Sequence, residues 1–457
     1  MSRAWSDSPA LGEAVDKFTQ AATRWNVSHF GNIFTRKKNI MVRLNGIQRA
    51  LSVRPSTFLV NLENELLKEL DRVLNQEEKI WTLKSRVNWM IQGDRNTTFY
   101  HVSTLVWRKR NQILAIKDPL GEWIHEESAI KEVVRSGFNA IYTTSFVAGS
   151  RDAPGLSQWQ ARLTNEEKES IGGVASEEEI KSALWSLKAF KAPGPDGLHA
   201  GFFHRFWLIV SKSIVDVVKK VFEEKAVPEY LNRTLIALIP KIQSLETLNN
   251  YRPISLCNTM YKIITKIIVA RLRSFLDKII SPLQMPFVPG RKGIDNVIIV
   301  QEIIHTLSRK KGRVGYMAIK IDLEKAYDKL EWSFIRDMLI RANLPVDLID
   351  IIMSCISTVS TSILFNGEAL DPIYPSRGIR QGDPLSPYLF IICMEFLGQL
   401  IEEKCNAKLW LPVKASCGGP AFSHLFFADD LVLFAKADHT NCLGMSLMPF
   451  VMPLVSQ

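Results

Sequence analysis

Adjacent carboxylates, Asp429 and Asp430, sit between short apolar runs in Ser423-His-Leu-Phe-Phe-Ala-Asp-Asp-Leu-Val-Leu-Phe-Ala435. A third, Asp322, comes near the end of the alternating run Met317-Ala-Ile-Lys-Ile-Asp-Leu323. Anionic charge among apolar strand-forming side chains is costly unless a cation answers it. Carboxylate oxygens suit Mg²⁺ or Mn²⁺ rather than zinc. An Asp-Asp pair alone also has a plainer reading, a solvated turn between strands. Asp322 is harder to read as simple surface charge, because Ile319, Ile321 and Leu323 lie around it.

Backbone elements must position these groups. The runs beside Asp429 and Asp430 are too short for helices and rich in Phe, Leu and Val, so residues 423–435 are expected to form a β-hairpin whose tight turn displays both aspartates. Residues 317–323 read as a strand, and a helix begins at Leu330-Glu-Trp-Ser-Phe. Arg377-Gly-Ile-Arg-Gln-Gly-Asp-Pro-Leu-Ser-Pro387 is a glycine-rich turn feeding a helix over about 385–402, with Asp383 as its cap and Pro384 in its first turn. Its free N–H groups and the helix start make an anion-seeking spot. Leu235-Ile-Ala-Leu-Ile239 is a strand candidate ending at Pro240-Lys241. A polar loop then leads to Asn250-Tyr-Arg-Pro-Ile-Ser255 and an amphipathic helix over about 261–276. Lys241 and Arg252 thus lie at element ends, where side chains reach phosphates, although each alone reads equally as surface charge. Capping-box spacing at Thr164…Glu167 and Ser176…Glu179 starts two further helices. Lys191-Ala-Pro-Gly-Pro-Asp-Gly197 is excluded from helix and central strand by its prolines and glycines, leaving an ordered or a flexible loop.

Toward the N-terminus the pattern is helical and charged. Leu59, Leu62, Leu66, Leu70, Val73 and Trp81 form a stripe that needs a partner surface. Around it, Trp81, Lys84, Arg86, Trp89, Arg95, Phe99, Tyr100, His101, Trp107, Arg108, Lys109 and Arg110 interleave aromatic and basic side chains. That mixture suits phosphate contact and base stacking, or a solvated basic helix face with its rings turned inward. The composition of residues 148–156 marks a linker. The 457 residues have room for two to four domains, and a net charge of +10 favours an anionic partner, nucleic acid before an acidic membrane. No apolar run reaches the ~20 residues of a membrane span. The first residues lack a signal-peptide core, and the six scattered cysteines form no C-x-x-C pair. An intracellular protein of nucleus or cytoplasm, not secreted, is therefore expected.

In chain order, strand-end Asp322, the Gln-Gly turn into a helix at 378–387 and the Asp429-Asp430 hairpin resemble the palm of a reverse transcriptase, specifically that of plant non-LTR retrotransposons of the long interspersed element type. Lys191 to Gly197, Leu238-Ile-Pro-Lys241, Asn250 to Leu256, Gln284 with Phe287-Val-Pro-Gly-Arg291, and the 81–101 stretch with Gly93-Asp-Arg-Asn96 carry the likeness along nearly the whole chain. The resemblance implies an α+β fold: right-hand polymerase fingers and palm with an antiparallel palm sheet, preceded by an all-helical N-terminal region. On that reading residues 1–147 are the basic segment between endonuclease and polymerase, 148–156 the linker, 157–316 the pre-finger and fingers region, and 317–437 the palm. Residues 438–457 would be an aberrant tail with the thumb absent. The 445–457 stretch lacks an amphipathic period and does not resemble the family's continuation, so a frame change near Leu443 to Met445 is expected to have produced it.

The resemblance also implies RNA-directed DNA polymerase activity: two Mg²⁺ or Mn²⁺ ions, an RNA template, a DNA primer 3′-hydroxyl and deoxynucleoside triphosphates, with no membrane. Asp322 and Asp429 would be the bridging metal ligands, the Leu323 carbonyl would complete the triphosphate-side ion, and Asp430 would support them. Arg252 and Lys241 would grip the triphosphate. Gln381 and Gly382 would border the nascent base pair, and Tyr327 would block a ribose 2′-hydroxyl, against its plain reading as a core tyrosine. Nucleic-acid contacts are expected from Arg95, Arg108, Lys109, Arg110, Arg309, Lys310 and Lys311. Met285-Pro286 depart from the small residues usual before Phe287. The alternative is a catalytically inactive nucleic-acid-binding retroelement remnant.

Overall fold

A helical unit, Met1–Leu114, and a mixed unit, Ala115–Gln457, divide the chain in the computed structural model. The structure describes residues 5, 11–29, 31–54, 56–85, 97–144, 163–243, 245–310, 315–414, 418–427, 430–438 and 441. In the first unit, helices Leu11–His29, Ile33–Val53, Thr57–Ser85 and Thr97–Asn111 follow one another. The leucine stripe finds its partner in the preceding helix: Leu66 and Val73 are buried with Ile40, Leu44 and Ile47, and Leu59, Leu62 and Leu70 pack around them. Ion pairs Arg36–Glu69 and Lys37–Glu77 flank this seam, each at 2.7 Å. Trp81 meets His101 edge-on, with ring centroids 4.4 Å apart.

The helical unit ends at Leu114, ahead of the linker expected at 148–156. A hairpin, β1 (Ile116–Lys117) and β2 (Trp123–Ile124), interrupts the helical stretch expected over 1–147. Lys117 N–H donates to the Glu246 carbonyl, and the Ser376 and Arg377 N–H groups donate to that of Tyr142, which ends helix Glu127–Tyr142. These long-range bonds tie residues 115–144 into the second unit, and composition does not signal them. Residues 145–162 lie outside the described residues.

The second unit holds a four-stranded sheet ordered β4-β3-β6-β7, from β3 (Arg233–Pro240), β4 (Tyr251–Cys257), β6 (Ser360–Phe365) and β7 (Glu368–Ala369). The loop expected before Asn250 leads into β4, which begins at Tyr251 as an edge strand antiparallel to β3, where Pro253 is tolerated opposite Leu238. β3 and β6 run parallel, with Ile236 opposite Ile363. The loop at 191–197 is ordered: a Cβ on Gly194 would stand 2.4 Å from Asn258 Oδ1, which also accepts from Asp196 N–H. Both capping boxes form, at Thr164–Glu167 and Ser176–Glu179.

A three-stranded antiparallel sheet, β10-β11-β5, joins β5 (Tyr316–Asp322), β10 (His424–Phe427) and β11 (Asp430–Lys436). Leu425 and Phe434 are buried with Ile303 of helix Gly293–Arg309 and with Val413 of β8 (Val413–Lys414), which pairs with β9 (Ala421–Phe422). Helix Ser386–Asn406 is buried along most of its length, and a Cβ on its Gly398 would come within 3.4 Å of His424 and Phe426. Burial pushes His424 down to about 4, so the imidazole is neutral at pH 7. Among the described residues no helix is long and apolar enough to cross a membrane.

Candidate active site

The β5–β11 register sets Asp322 directly opposite Asp430, with Ile321 opposite Leu431 and Lys320 opposite Val432. Directly opposite residues share one face of a sheet, their Cβ atoms ~4.5–5.5 Å apart. Lys320, one pleat back on the same face, reaches diagonally to Asp430, Nζ to Oδ1 at 2.8 Å. Asp322 has no ion pair among the described residues. Phe427 pairs with Asp430, and Ala428 and Asp429 lie outside the described residues. Asp430, expected in the turn, is the first residue of β11. Leu323 follows β5 with its side chain buried. Among the described residues no group of three or more His, Cys, Asp or Glu side chains gathers as a metal site. The two neighbouring carboxylates nevertheless fit a hard divalent cation, since their donors are all oxygen and their joint charge is met only in part by Lys320.

Beyond Asp322 the chain turns through Lys325, at φ 53°, into the short helix Ala326–Lys329. Tyr327 stacks on Phe390, centroids 4.7 Å apart and 15° between planes, which is the packing a core tyrosine makes. The glycine-rich turn docks on this segment: Gly378 N–H donates to the Leu330 carbonyl and Ile379 N–H to that of Tyr327, both at 2.8 Å. These N–H groups are therefore spent internally and do not serve the anion-seeking role expected of the turn. At Gly378, φ is +87° and an added Cβ would lie 2.5 Å from the Asp328 carbonyl oxygen.

The same turn touches β4. Ser255 N–H donates to the Gln381 carbonyl at 2.7 Å, and a Cβ on Gly382 would lie 3.1 Å from the Ser255 oxygen. Gln381 Nε2 makes long contacts to both Asp328 carboxylate oxygens, 3.3 and 3.4 Å. Gln381 and Gly382 are thus held between the segment after Asp322 and the strand that bears Arg252. Arg252 is exposed on β4 with no ion pair among the described residues. Lys241 is exposed too, and its Nζ donates to the Asn249 carbonyl at 3.1 Å.

Asp328, Lys325 and Asn249 escaped sequence reasoning at this site. Asp328 is buried, and burial pushes its carboxyl up to about 6 against the pull of Lys325 and the Gln381 amide. Its one sequence signal is a carboxylate flanked by Ala326 and Leu330. Lys325 Nζ donates to Asn249 Oδ1 at 2.5 Å, a contact across the chain that no local pattern marks.

Asp383 is not the helix cap expected. Helix Ser386–Asn406 begins after Leu385 with Pro387 in its first turn, and Asp383 is buried, accepting from Leu385 N–H at 3.0 Å and from the Tyr261 hydroxyl at 2.7 Å. Arg380 lies over the Tyr261 ring, 4.0 Å from its centroid, and donates to Asn232 and to the Cys355 carbonyl, so it is an internal strut.

Arg108, Lys109 and Arg110 are exposed in the last turn of their helix. Lys310 donates to the Lys414 carbonyl and lies over Tyr316, at the opposite end of β5 from Asp322. Seven residues of strand separate those ends by about 20 Å, so the exposed Arg309 and Lys310 are not part of the aspartate cluster. Arg95 and Lys311 lie outside the described residues.

Residues 239–447 match the family described as reverse transcriptase (RNA-dependent DNA polymerase). The chain is 27% identical over 379 residues to an uncharacterized 149 kDa transposon protein of Xenopus laevis, covering 82% of this chain and 28% of that protein. It is 28% identical over 268 residues to a retrovirus-related Pol polyprotein from a type-2 retrotransposable element of Drosophila melanogaster, covering 59% and 24%. Over 67 residues it is 45% identical to an uncharacterized mitochondrial protein of Arabidopsis thaliana, covering 15% and 55%. The chain spans about a quarter of the length of the first two relatives.

Proposed function

Because residues 239–447 carry a reverse transcriptase domain, we propose that the chain is the RNA-directed DNA polymerase portion of a plant non-LTR retrotransposon. The retroelement names of its relatives and the short plant match support this reading. The observation that carries it is Asp322 opposite Asp430 at the end of an antiparallel sheet inside the matched segment. On this reading the β10-β11-β5 sheet is the palm, within 317–437, and residues 157–316 supply the fingers.

Asp322, Asp429 and Asp430, with the Leu323 carbonyl, would hold Mg²⁺ or Mn²⁺. Two such ions stabilise charge on the attacking primer oxygen and on the leaving pyrophosphate. Arg252 offers a planar, exposed guanidinium to the triphosphate, and Lys241 a second cation. Gln381, steadied by Asp328, and Gly382, close to the β4 backbone, would bound the new base pair. Tyr327, braced on Phe390, would stand against a 2′-hydroxyl. The exposed Arg108, Lys109, Arg110, Arg309 and Lys310, with Arg95 and Lys311, would hold template and primer backbone through salt-sensitive phosphate contacts.

The test is primer extension by the purified chain on an RNA template with Mg²⁺ or Mn²⁺, beside Asp429→Asn and Asp322→Ala. Extension lost in both variants supports the assignment, and near-normal extension by either rejects it. A second reading, a nucleic-acid-binding remnant without turnover, draws on Lys320 already occupying an oxygen of Asp430. RNA binding by the unaltered chain without extension would favour it.

A further inference from the structure

We propose that Asn296 is a positioning residue for the aspartate hairpin, fixing the outer edge of β10 so that Asp429 and Asp430 are presented to Asp322; the inference rests on the polymerase reading and adds to it a residue outside the cluster. In the three-stranded sheet β11 has a strand on either side, whereas β10 has one on a single side and is only four residues long. Its outward backbone groups need partners from elsewhere, or a short ladder alone holds the strand end that leads to Asp429. Phe426 finds both partners. Its N–H donates to the Leu283 carbonyl at 3.0 Å, and its carbonyl accepts from Asn296 Nδ2 at 2.7 Å. Phe426 stands opposite Leu431, the residue after Asp430, and three residues before Asp429. The bond from Asn296 therefore reaches the backbone one pair away from Phe427 and Asp430.

Both supports are themselves anchored. Leu283 belongs to a loop whose Ile280, Ser281 and Gln284 carbonyls accept from the Arg291 guanidinium, and whose Ser281 N–H donates to Glu395. Asn296 lies in the first turn of helix Gly293–Arg309, which Ile303 seats against Leu425 and Phe434. Gly293, at the head of that helix, comes so near Phe427 that an added Cβ would stand 2.6 Å from the ring. Stability alone does not account for an asparagine here. The side chain is 3% exposed, and its Oδ1 is buried with no hydrogen-bond partner among the described residues. One bond made and one buried oxygen left unpaired give little net stabilisation, and a leucine of the same branching would bury no unpaired oxygen. What the asparagine supplies and a leucine does not is a directed bond to the Phe426 carbonyl.

The experiment compares the full chain with Asn296→Leu, Asn296→Ala and Ile303→Ala, the last of which removes packing from the same helix and sheet while leaving the bond to Phe426 in place. Mn²⁺ affinity is measured by electron paramagnetic resonance at the site that Asp322→Ala removes. Primer extension gives the Mg²⁺ midpoint and the KM for deoxynucleoside triphosphates, and a thermal melt gives stability. Groups that hold metal ligands in place from behind strongly affect metal affinity, so Asn296→Leu should bind Mn²⁺ about tenfold more weakly and raise the Mg²⁺ midpoint by a similar factor, while KM at saturating Mg²⁺ changes less than about twofold. Asn296→Ala should match it. Ile303→Ala should melt lower than the unaltered chain and keep its Mn²⁺ affinity. Unchanged Mn²⁺ affinity in both Asn296 variants overturns the proposal, as does an equal loss in Ile303→Ala, which would mark a general loosening of the sheet. If Asn296→Leu does not fold, Asn296→Ala decides by the same comparison. The absence of Mn²⁺ binding dependent on Asp322 in the unaltered chain overturns it as well. If Mn²⁺ binds there and Asn296→Leu weakens it, yet no primer is extended, the polymerase reading falls and Asn296 keeps its assignment; extension with metal affinity indifferent to Asn296 has the reverse meaning.

Discussion

Asp322 and Asp430 face each other across β5 and β11, and Lys320, two residues before Asp322 on its own strand, holds Asp430 at 2.8 Å. One strand therefore supplies both a neighbouring carboxylate and the cation that competes for its partner. Removing the competitor tests which state matters. Lys320→Met should lower the Mg²⁺ concentration for half-maximal primer extension by about two- to fivefold, since an exposed ion pair holds its carboxylate only weakly. A requirement unchanged or increased in a metal titration would mean that Lys320 belongs to the working site.

Replacing Gly378 should be costly. A Cβ there meets the Asp328 backbone at 2.5 Å and the residue has φ +87°, so the clash is with backbone rather than with a side chain that could swing away. Gly378→Ala should lose roughly 2–3 kcal/mol in urea unfolding. Gly46, inside helix Ile33–Val53 with open space around it, is the control: Gly46→Ala should gain about 0.5–1 kcal/mol.

Tyr327 has two candidate roles that one pair of variants separates. Tyr327→Phe keeps the ring on Phe390 and should preserve stability and sugar discrimination. Tyr327→Val removes it and, if the ring is a gate, should raise ribonucleotide incorporation about tenfold or more in a competition assay. Lost stability with unchanged discrimination would return Tyr327 to core packing.

Glu395 should make stability fall with rising pH. Burial pushes its carboxyl up to about 8, outweighing the Ser281 N–H that donates to it at 3.0 Å. The folded state therefore binds the proton more tightly than the unfolded chain, whose carboxyl has the ordinary value of 4.5. The unaltered chain is unpenalised below about 4.5, loses stability as pH rises toward about 8, and is level above that. Glu395→Gln removes this dependence. The difference in melting temperature between the two should grow in favour of Glu395→Gln from pH 5 to pH 8, and a constant difference would contradict the burial argument.

Much of this protein follows from rules that act over a few residues. Alternation placed β5, short apolar runs of strand-forming side chains placed β10 and β11, the Thr164 and Ser176 caps announced their helices, and the leucine stripe of Thr57–Ser85 required the surface that Ile40, Leu44 and Ile47 provide. The order of Asp322, the Gln381-Gly382 turn and Asp430 was legible because residue type and spacing are themselves local. Register was not: a one-residue slip between β5 and β11 would send Asp430 to the other face, and only the packed sheet decides against it. Nor were the Asp328–Gln381 and Lys325–Asn249 contacts, which join residues 53 and 76 positions apart. The unit boundary at Leu114 and the burial of Arg380 and Asp383 have the same origin. Hydrogen bonds and desolvation between distant segments exist only once the chain has folded, so the sequence could name the carboxylates while tertiary structure alone determined what faces them.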